Sequence, residues 1–167
     1  MSKTEQNLSD AFAGESQANR KYLAFAKQAD KEGHSQAAKL FRAAAEAETV
    51  HAHAHLRALG GIKSTAENLK AAIGGETHEF KEMYPEMIKT AQEEGNMEAL
   101  RSFNFANKVE ETHAGLYGKA KEAVAEGKDL EETDVFVCPV CGHTVEGEVP
   151  DKCPVCGTPG EKFKRIE

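Results

Sequence analysis

No run of 18 apolar residues occurs anywhere in the chain, so a membrane-spanning helix is not expected. The opening stretch from Met1 to Asp10 also lacks the apolar segment of a secretory leader, and a cytoplasmic location is expected. Positive charge is short: 21 Lys+Arg stand against 28 Asp+Glu, a net charge of −7 that argues against a nucleic-acid-coating protein. Proline is missing until Pro85 and cysteine until Cys138. All four cysteines then fall between 138 and 156 as two Cys-x-x-Cys pairs, spaced like thiolate metal ligands and suited to a reducing compartment. With 40% hydrophobic and 29% charged residues over 167 positions, neither disorder nor a collagen-like chain fits. One well-buried core with a small satellite domain does.

What is there, up to about residue 126, is Ala, Glu, Lys and Gln with apolar residues recurring at three and four, the helical period. Breaks at Gly33, Gly60-Gly61 and Gly95 predict four helical blocks, about 4–32, 35–59, 66–94 and 96–126. The third is expected to break or kink near Gly74-Gly75 and Pro85. The acidic stretch from Gly127 to Asp134 reads as a linker. Beyond it, Val135-Phe-Val137, the cysteines and four of the five prolines describe a short-stranded, metal-stapled module.

The helical region repeats itself. Gly14-Glu15 is followed by Gly33, Phe41 and Glu48-x-x-His51; Gly75-Glu76 is followed by Gly95, Phe103 and Glu110-x-x-His113. From Gly33 to Phe41 and from Gly95 to Phe103 is 8 positions, and from each glycine to its Glu is 15. The halves differ by a single residue, since Glu15 to Gly33 spans 18 positions and Glu76 to Gly95 spans 19. Two related hairpins are therefore expected to face each other about a pseudo-twofold axis.

Residues three apart on a helix share a face, so Glu48 with His51, Glu110 with His113, and Glu76 with Glu79 each converge. One Glu-x-x-His pair on so charged a helix is ordinarily a solvated face; two in matching registers, flanked by Phe41 and by Phe103 and Phe105, are not. Five carboxylates gathered among apolar neighbours would each cost several kcal/mol in lost hydration, and cations must compensate. Carboxylates with one imidazole per half suit iron or manganese, in the ligand pattern of carboxylate-bridged dimetal bundles. In charge terms, two ferric ions, an oxo bridge and five Glu sum to −1; two ferrous ions with four Glu and an extra neutral His sum to zero. Glu79 is then a spare acid and His51 a spare imidazole, so a redox-linked exchange of the two at one iron is expected. Tyr22 and Tyr84 point broadly to the same interior, as hydrogen-bond donors to ligand carboxylates or as packing. His53 and His78 should face outward, His55 lies too far along its helix, and His34 reads as a helix start.

Cys138-Pro-Val-Cys141-Gly142 and Cys153-Pro-Val-Cys156-Gly157 are two copies of one knuckle, with 11 residues between Cys141 and Cys153. They predict a tetrahedral four-cysteine site. The short spacing favours iron, with zinc the alternative.

The stretch Ala11-Phe-Ala-Gly-Glu-Ser-Gln-Ala18, Lys39-Leu-Phe-Arg42, both Glu-x-x-His motifs, Gly75-Glu76-x-x-Glu79, Met83-Tyr84-Pro85 and the two knuckles, in this order, closely resemble the rubrerythrin family over essentially the whole chain. The resemblance implies a mainly α fold: a ferritin-like four-helix bundle with a diiron site over 1–130, and a small rubredoxin-like, metal-stapled β domain with one FeS4 iron over 131–167. It implies Glu48 and Glu110 as bridging carboxylates, Glu15 and Glu79 on one iron, Glu76 and His113 on the other, and His51 as the imidazole that replaces Glu79 on reduction. Cys138, Cys141, Cys153 and Cys156 would hold the single iron. Tyr22 and Tyr84 would support the ligand carboxylates. The activity implied is reduction of hydrogen peroxide to water, with electrons from rubredoxin or an NAD(P)H-dependent reductase. A ferroxidase or iron-handling protein, and a nonenzymatic zinc- or iron-binding protein, are the competing readings. One departure is His143-Thr-Val145, where such domains often carry an aromatic residue. Only 28 positions separate Glu48 from Glu76, tight for a crossover along a bundle. A homodimer is therefore expected, with exchange of hairpins between two chains the low-cost route.

Overall fold

The computed structural model describes all 167 residues. The chain divides into two compact units, Met1–Lys63 and Ser64–Glu167.

The first unit is a helical hairpin of α1 (Lys3–Lys31) and α2 (Ser35–Ala58). Ser2 starts α1 with a capping box: its hydroxyl accepts from the Glu5 N–H while the Glu5 carboxylate accepts from the Ser2 N–H. Gly33, at φ 83°, stops α1 in the left-handed conformation that ends many helices, and the His34 N–H bonds back to the Ala29 carbonyl at 2.8 Å. The seam is lined by Ala26, Ala29, Ala38, Ala45 and Ala52, all buried, so the helices approach closely. Larger apolar side chains, Phe25, Leu40 and Val50, stay exposed.

The second unit opens with α3 (Thr65–His78), capped by Ser64 and Glu67 in the same box. It continues through a π-helical turn over Glu79–Met83 into α4 (Tyr84–Glu93), and returns along α5 (Met97–Ala125). The expected break at Gly74-Gly75 is absent: both glycines lie inside α3. The irregularity falls at the π turn instead, where the Tyr84 N–H reaches back five residues to the Glu79 carbonyl. A π turn is one residue inserted into an α-helix. That insertion accounts for the single-residue mismatch between the halves, because Glu15 to Tyr22 is 7 positions and Glu76 to Tyr84 is 8, whereas both tyrosines precede their glycine by 11. Pro85, with no N–H to donate, sits in the first turn of the segment that follows.

Three three-residue strands, β1 (Val135–Val137), β2 (Thr144–Glu146) and β3 (Lys164–Ile166), form an antiparallel sheet in the order β2-β1-β3. The sheet is joined to α5 by the acidic linker, as its composition predicts. So small a sheet has little core of its own; its most buried side chains are Cys138 and Cys153. It rests on α5 through the Lys119–Glu146 ion pair at 2.9 Å and through Val109, whose Cγ1 would lie 3.8 Å from a Cβ placed on Gly142. The mainly α class with a small C-terminal β domain, read from the sequence, is therefore the one observed. No helix is long and apolar enough to cross a membrane.

Candidate metal centres

Three groups of side chains bring metal-ligand atoms within 4.8 Å of one another: Glu15, Glu48 and His51; Glu76, Glu110 and His113; and the four cysteines. The first belongs to the first unit and the other two to the second. Donors opposite each other about one ion at roughly 2.1 Å are some 4.2 Å apart, so each group has nearly the span one ion requires.

In the first group, His51 Nδ1 lies 2.8 Å from Glu48 Oε2, with Glu48 half-buried and the imidazole 55% exposed. One turn beyond Glu15, the buried Asn19 donates to the Ala45 carbonyl at 2.7 Å and the Thr49 hydroxyl at 2.8 Å. This clamp fixes α1 against α2 at the level of the ligands. Sequence reasoning missed it, although a polar residue in an alanine seam, four after Glu15, was the available signal. Tyr22 packs against Phe41 at 6.3 Å between ring centroids.

The second group repeats the first. His113 Nδ1 lies 2.8 Å from Glu110 Oε2 and 4.0 Å from Glu76 Oε1. Tyr84 packs against Phe103 at 6.2 Å, the counterpart of Tyr22 on Phe41. Burial pushes the Glu76 carboxyl up to about 7, helped by a hydrogen bond with Glu110 and by the charges of Glu110 and Glu79. Burial first, and then the charges of Glu110, Glu79 and Glu76, raise the Tyr84 phenol as well, so it stays protonated and able to donate. Glu79 thus belongs to the same electrostatic cluster from its place on the π turn. The crowded acids fit a multivalent cation: without one, Glu76 retains a proton near neutrality.

The other histidines follow expectation. His53 and His78 are exposed, His78 pairs with Glu82 at 3.1 Å, and His34 precedes α2 without a side-chain cap.

The titration has a consequence for the metal-free chain. A carboxyl raised from 4.5 to about 7 on folding contributes stability that is complete below about 4.5 and lost as pH rises through about 7. Thermal unfolding of the metal-free protein should therefore show a midpoint that falls across this window. Glu76→Gln removes that component, and metal binding masks it. A wild-type midpoint that is flat or rises there, with E76Q indistinguishable, contradicts the assignment.

In the third group the sulfurs of Cys138 and Cys156 are 3.6 Å apart and those of Cys141 and Cys153 are 3.5 Å apart. These distances rule out disulfides and approach the roughly 3.8 Å edge of a tetrahedron with metal–sulfur bonds of about 2.3 Å. Gly142 and Gly157, at φ 86° and 76°, turn the backbone so that following groups point at the thiolates. Burial pushes the Cys141 thiol well up, against the lowering effect of the His143 N–H. Burial acts upward on Cys156 too, but the Thr158 hydroxyl and N–H, with the neighbouring sulfurs, bring it down to about 6.

Paired Glu–Glu–His clusters on helical hairpins, followed by a four-cysteine knuckle domain, define a class of non-haem dimetal protein with an attached tetrathiolate centre. The family model "Rubrerythrin" matches residues 6–121, and "Rubrerythrin, rubredoxin-like domain" matches 136–164. The chain belongs to the rubrerythrin family. It is 38% identical to rubrerythrin of Porphyromonas gingivalis, over 99% of this chain and 91% of that protein. It is 35% identical to rubrerythrin-2 of Clostridium acetobutylicum, over 96% and 95%. A solved structure of nigerythrin in its fully reduced, all-ferrous state matches with a TM-score of 0.59 at 34% identity, over 99% of this chain and 88% of that one. The cofactors are accordingly those of a carboxylate diiron site and a rubredoxin-like four-cysteine site, and the chain is an oxidoreductase of this family.

Proposed function

We propose that the protein reduces hydrogen peroxide to water at the diiron site, recharged one electron at a time through the four-cysteine iron. The observation that carries this reading is the seating of the knuckle domain on α5, the helix that bears Glu110 and His113. An iron-handling protein has no use for a one-electron centre there.

In this reading Glu48 and Glu110 would be shared by the two metals, Glu15 and Glu79 would hold one, and Glu76 and His113 would hold the other. The iron pair, when bound, supplies the two electrons of O–O cleavage together, so no hydroxyl radical need escape. The chain's own residues do the rest. Glu79 and His51 would alternate as ligands, which would keep the site near neutral in both oxidation states. Tyr84, protonated among three carboxylates, supplies a hydrogen bond that holds them, and Tyr22 plays the equivalent part in the first half. Glu79, when free of metal, would pass a proton to the departing oxygen. Residues 1–130 would form the peroxide-reducing domain and 131–167 the electron-entry domain, fed by rubredoxin or an NAD(P)H-dependent reductase.

Rapid mixing tests this. Anaerobically reduced protein should oxidise much faster with peroxide than with oxygen. Turnover of added Fe²⁺ with iron accumulation would instead establish an iron-handling protein, and zinc at every site a nonenzymatic one. We propose further that the protein works as a homodimer in which the hairpins exchange, supported by the short α2–α3 connection and by exposed Phe25, Leu40 and Val50 on the first hairpin. A mass near 18.1 kDa by light scattering would remove this.

A further inference from the structure

His113 is held at both ring nitrogens. Nδ1 faces Glu110, and Nε2 lies 3.0 Å from the Thr144 hydroxyl on β2. That hydroxyl also donates to the Gly142 carbonyl at 3.2 Å, and Gly142 directly follows the metal ligand Cys141. The directions of these bonds are fixed by counting protons. A threonine hydroxyl has one hydrogen, and here it is given to Gly142, so toward His113 it presents a lone pair and Nε2 must carry the hydrogen. The Nδ1 lone pair of the neutral ring is then directed at carboxylate oxygens, an arrangement that is favourable only with a metal cation or a proton between them. The tautomer needed for metal binding at Nδ1 and the one matched to Thr144 are the same.

We propose that Thr144 is a positioning residue that joins the two metal centres of this chain: its hydroxyl locks His113 as an Nδ1 ligand and links the imidazole to the first cysteine knuckle, forming the entry route for electrons. This rests on the diiron reading above. With both centres loaded, the transferred electron would leave ferrous iron at the thiolates, oxidising it to ferric, and would reduce a ferric ion at the His113 side to ferrous. No covalent bond is made or broken, and both hydrogen bonds persist. The link also confines the route: the sheet that carries Thr144 is seated on α5 of the same chain, with Lys119–Glu146 one and a half turns beyond His113 holding it in place. Each four-cysteine iron therefore serves the half-site on its own α5. Valine at position 144 would keep the shape and remove both hydrogen bonds; serine would keep them.

The test uses the full-length, iron-loaded protein as wild type, Thr144→Val and Thr144→Ser. After pulsed reduction of the four-cysteine iron, reappearance of its ferric visible absorption reports the electron leaving for the diiron site. T144V should slow this step roughly tenfold or more, the scale on which loss of a ligand's hydrogen-bond partner acts. T144S should stay close to wild type. In zinc-substituted, ¹⁵N-histidine-labelled protein, the His113 Nε2–H should exchange slowly with water in wild type and T144S and rapidly in T144V. Transfer at the wild-type rate in T144V overturns the proposal. So does T144S behaving like T144V, which would assign the effect to packing. If the wild-type protein bound a single iron per chain, the diiron reading itself would fall, whereas two bundle irons with an insensitive transfer step would sink only the role of Thr144.

Discussion

Replacing Glu110 by Gln should abolish peroxide turnover and, in the same protein, make the metal-free chain more stable. Both effects have one origin. The Glu110 carboxylate lies against His113 and shares a hydrogen bond with Glu76, whose carboxyl it helps raise to about 7. In the metal-free protein this is repulsion among half-buried acids. With metal bound it would become ligation, by a carboxylate that the proposed function sets between two ions. The amide keeps the shape but removes the charge, and a neutral oxygen is a far poorer ligand for iron. Loss of an outer hydrogen-bond partner costs a metal site roughly 10- to 100-fold, so loss of a proposed ligand itself should exceed that. Iron analysis should show the bundle irons depleted and the four-cysteine iron retained with its visible spectrum unchanged. Thermal unfolding of the metal-free protein at neutral pH should give a higher midpoint for E110Q than for wild type, the trade expected where a site stores unfavourable charge for function. A metal-free E110Q protein no more stable than wild type, or one that keeps both bundle irons, would contradict this account.

How much of this arrangement was legible in the sequence depends on the distance over which each feature is determined. Helix ends were legible where glycine at 33 and 95 acts within a few residues of the terminus it makes; the capping boxes of Ser2 with Glu5 and Ser64 with Glu67 are equally local but went unread. The two triads were legible because a repeat carries the same register twice, and one helical face needs only a spacing of three. The knuckles were legible because a four-thiolate site fixes its own chain geometry. Other features answer to contacts that sequence spacing does not encode. Gly74-Gly75 read as a break because glycine is a poor helix former, yet backbone bonding through α3 keeps it helical, and the extra residue of the second half is taken up a turn later at Glu79–Met83. The sequence contained the clue, a one-residue mismatch between halves, but not its position until both tyrosines were measured against both glycines. The contact of His113 with Thr144 joins residues 31 apart across an acidic linker. No periodicity reports on it, and Thr144 stood out only as part of a stretch where an aromatic was expected.

Cys153→Ser should have the other large effect, and it should separate folding of the small domain from chemistry in the helices. The domain beyond Asp134 has three strands of three residues each, and two of its most buried side chains are ligand cysteines. Segments below about 40 residues rarely bury enough apolar surface to fold unaided, so the bound metal is the core. Structural metal sites of this kind contribute on the order of 10 kcal/mol to the folding of their domains. Removing Cys153 takes away the partner 3.5 Å from Cys141 and leaves three sulfurs, of which Cys141 is strongly disposed by burial to hold its proton. The serine hydroxyl is a much weaker ligand than a thiolate. C153S should lose the visible iron–thiolate absorption, and amides of residues 135–166 should lose their protection from hydrogen exchange, while the far-ultraviolet signal of the helices changes little. Turnover driven by a reductase should be lost, because the proposed entry point for electrons would be gone. A single oxidation by peroxide of protein reduced chemically beforehand should persist, because Glu15, Glu48, Glu76, Glu79 and Glu110 remain. Reductase-driven turnover that survived in C153S would mean that electrons reach the helices by another way, and the seating of the knuckle domain on α5 would then need a different explanation.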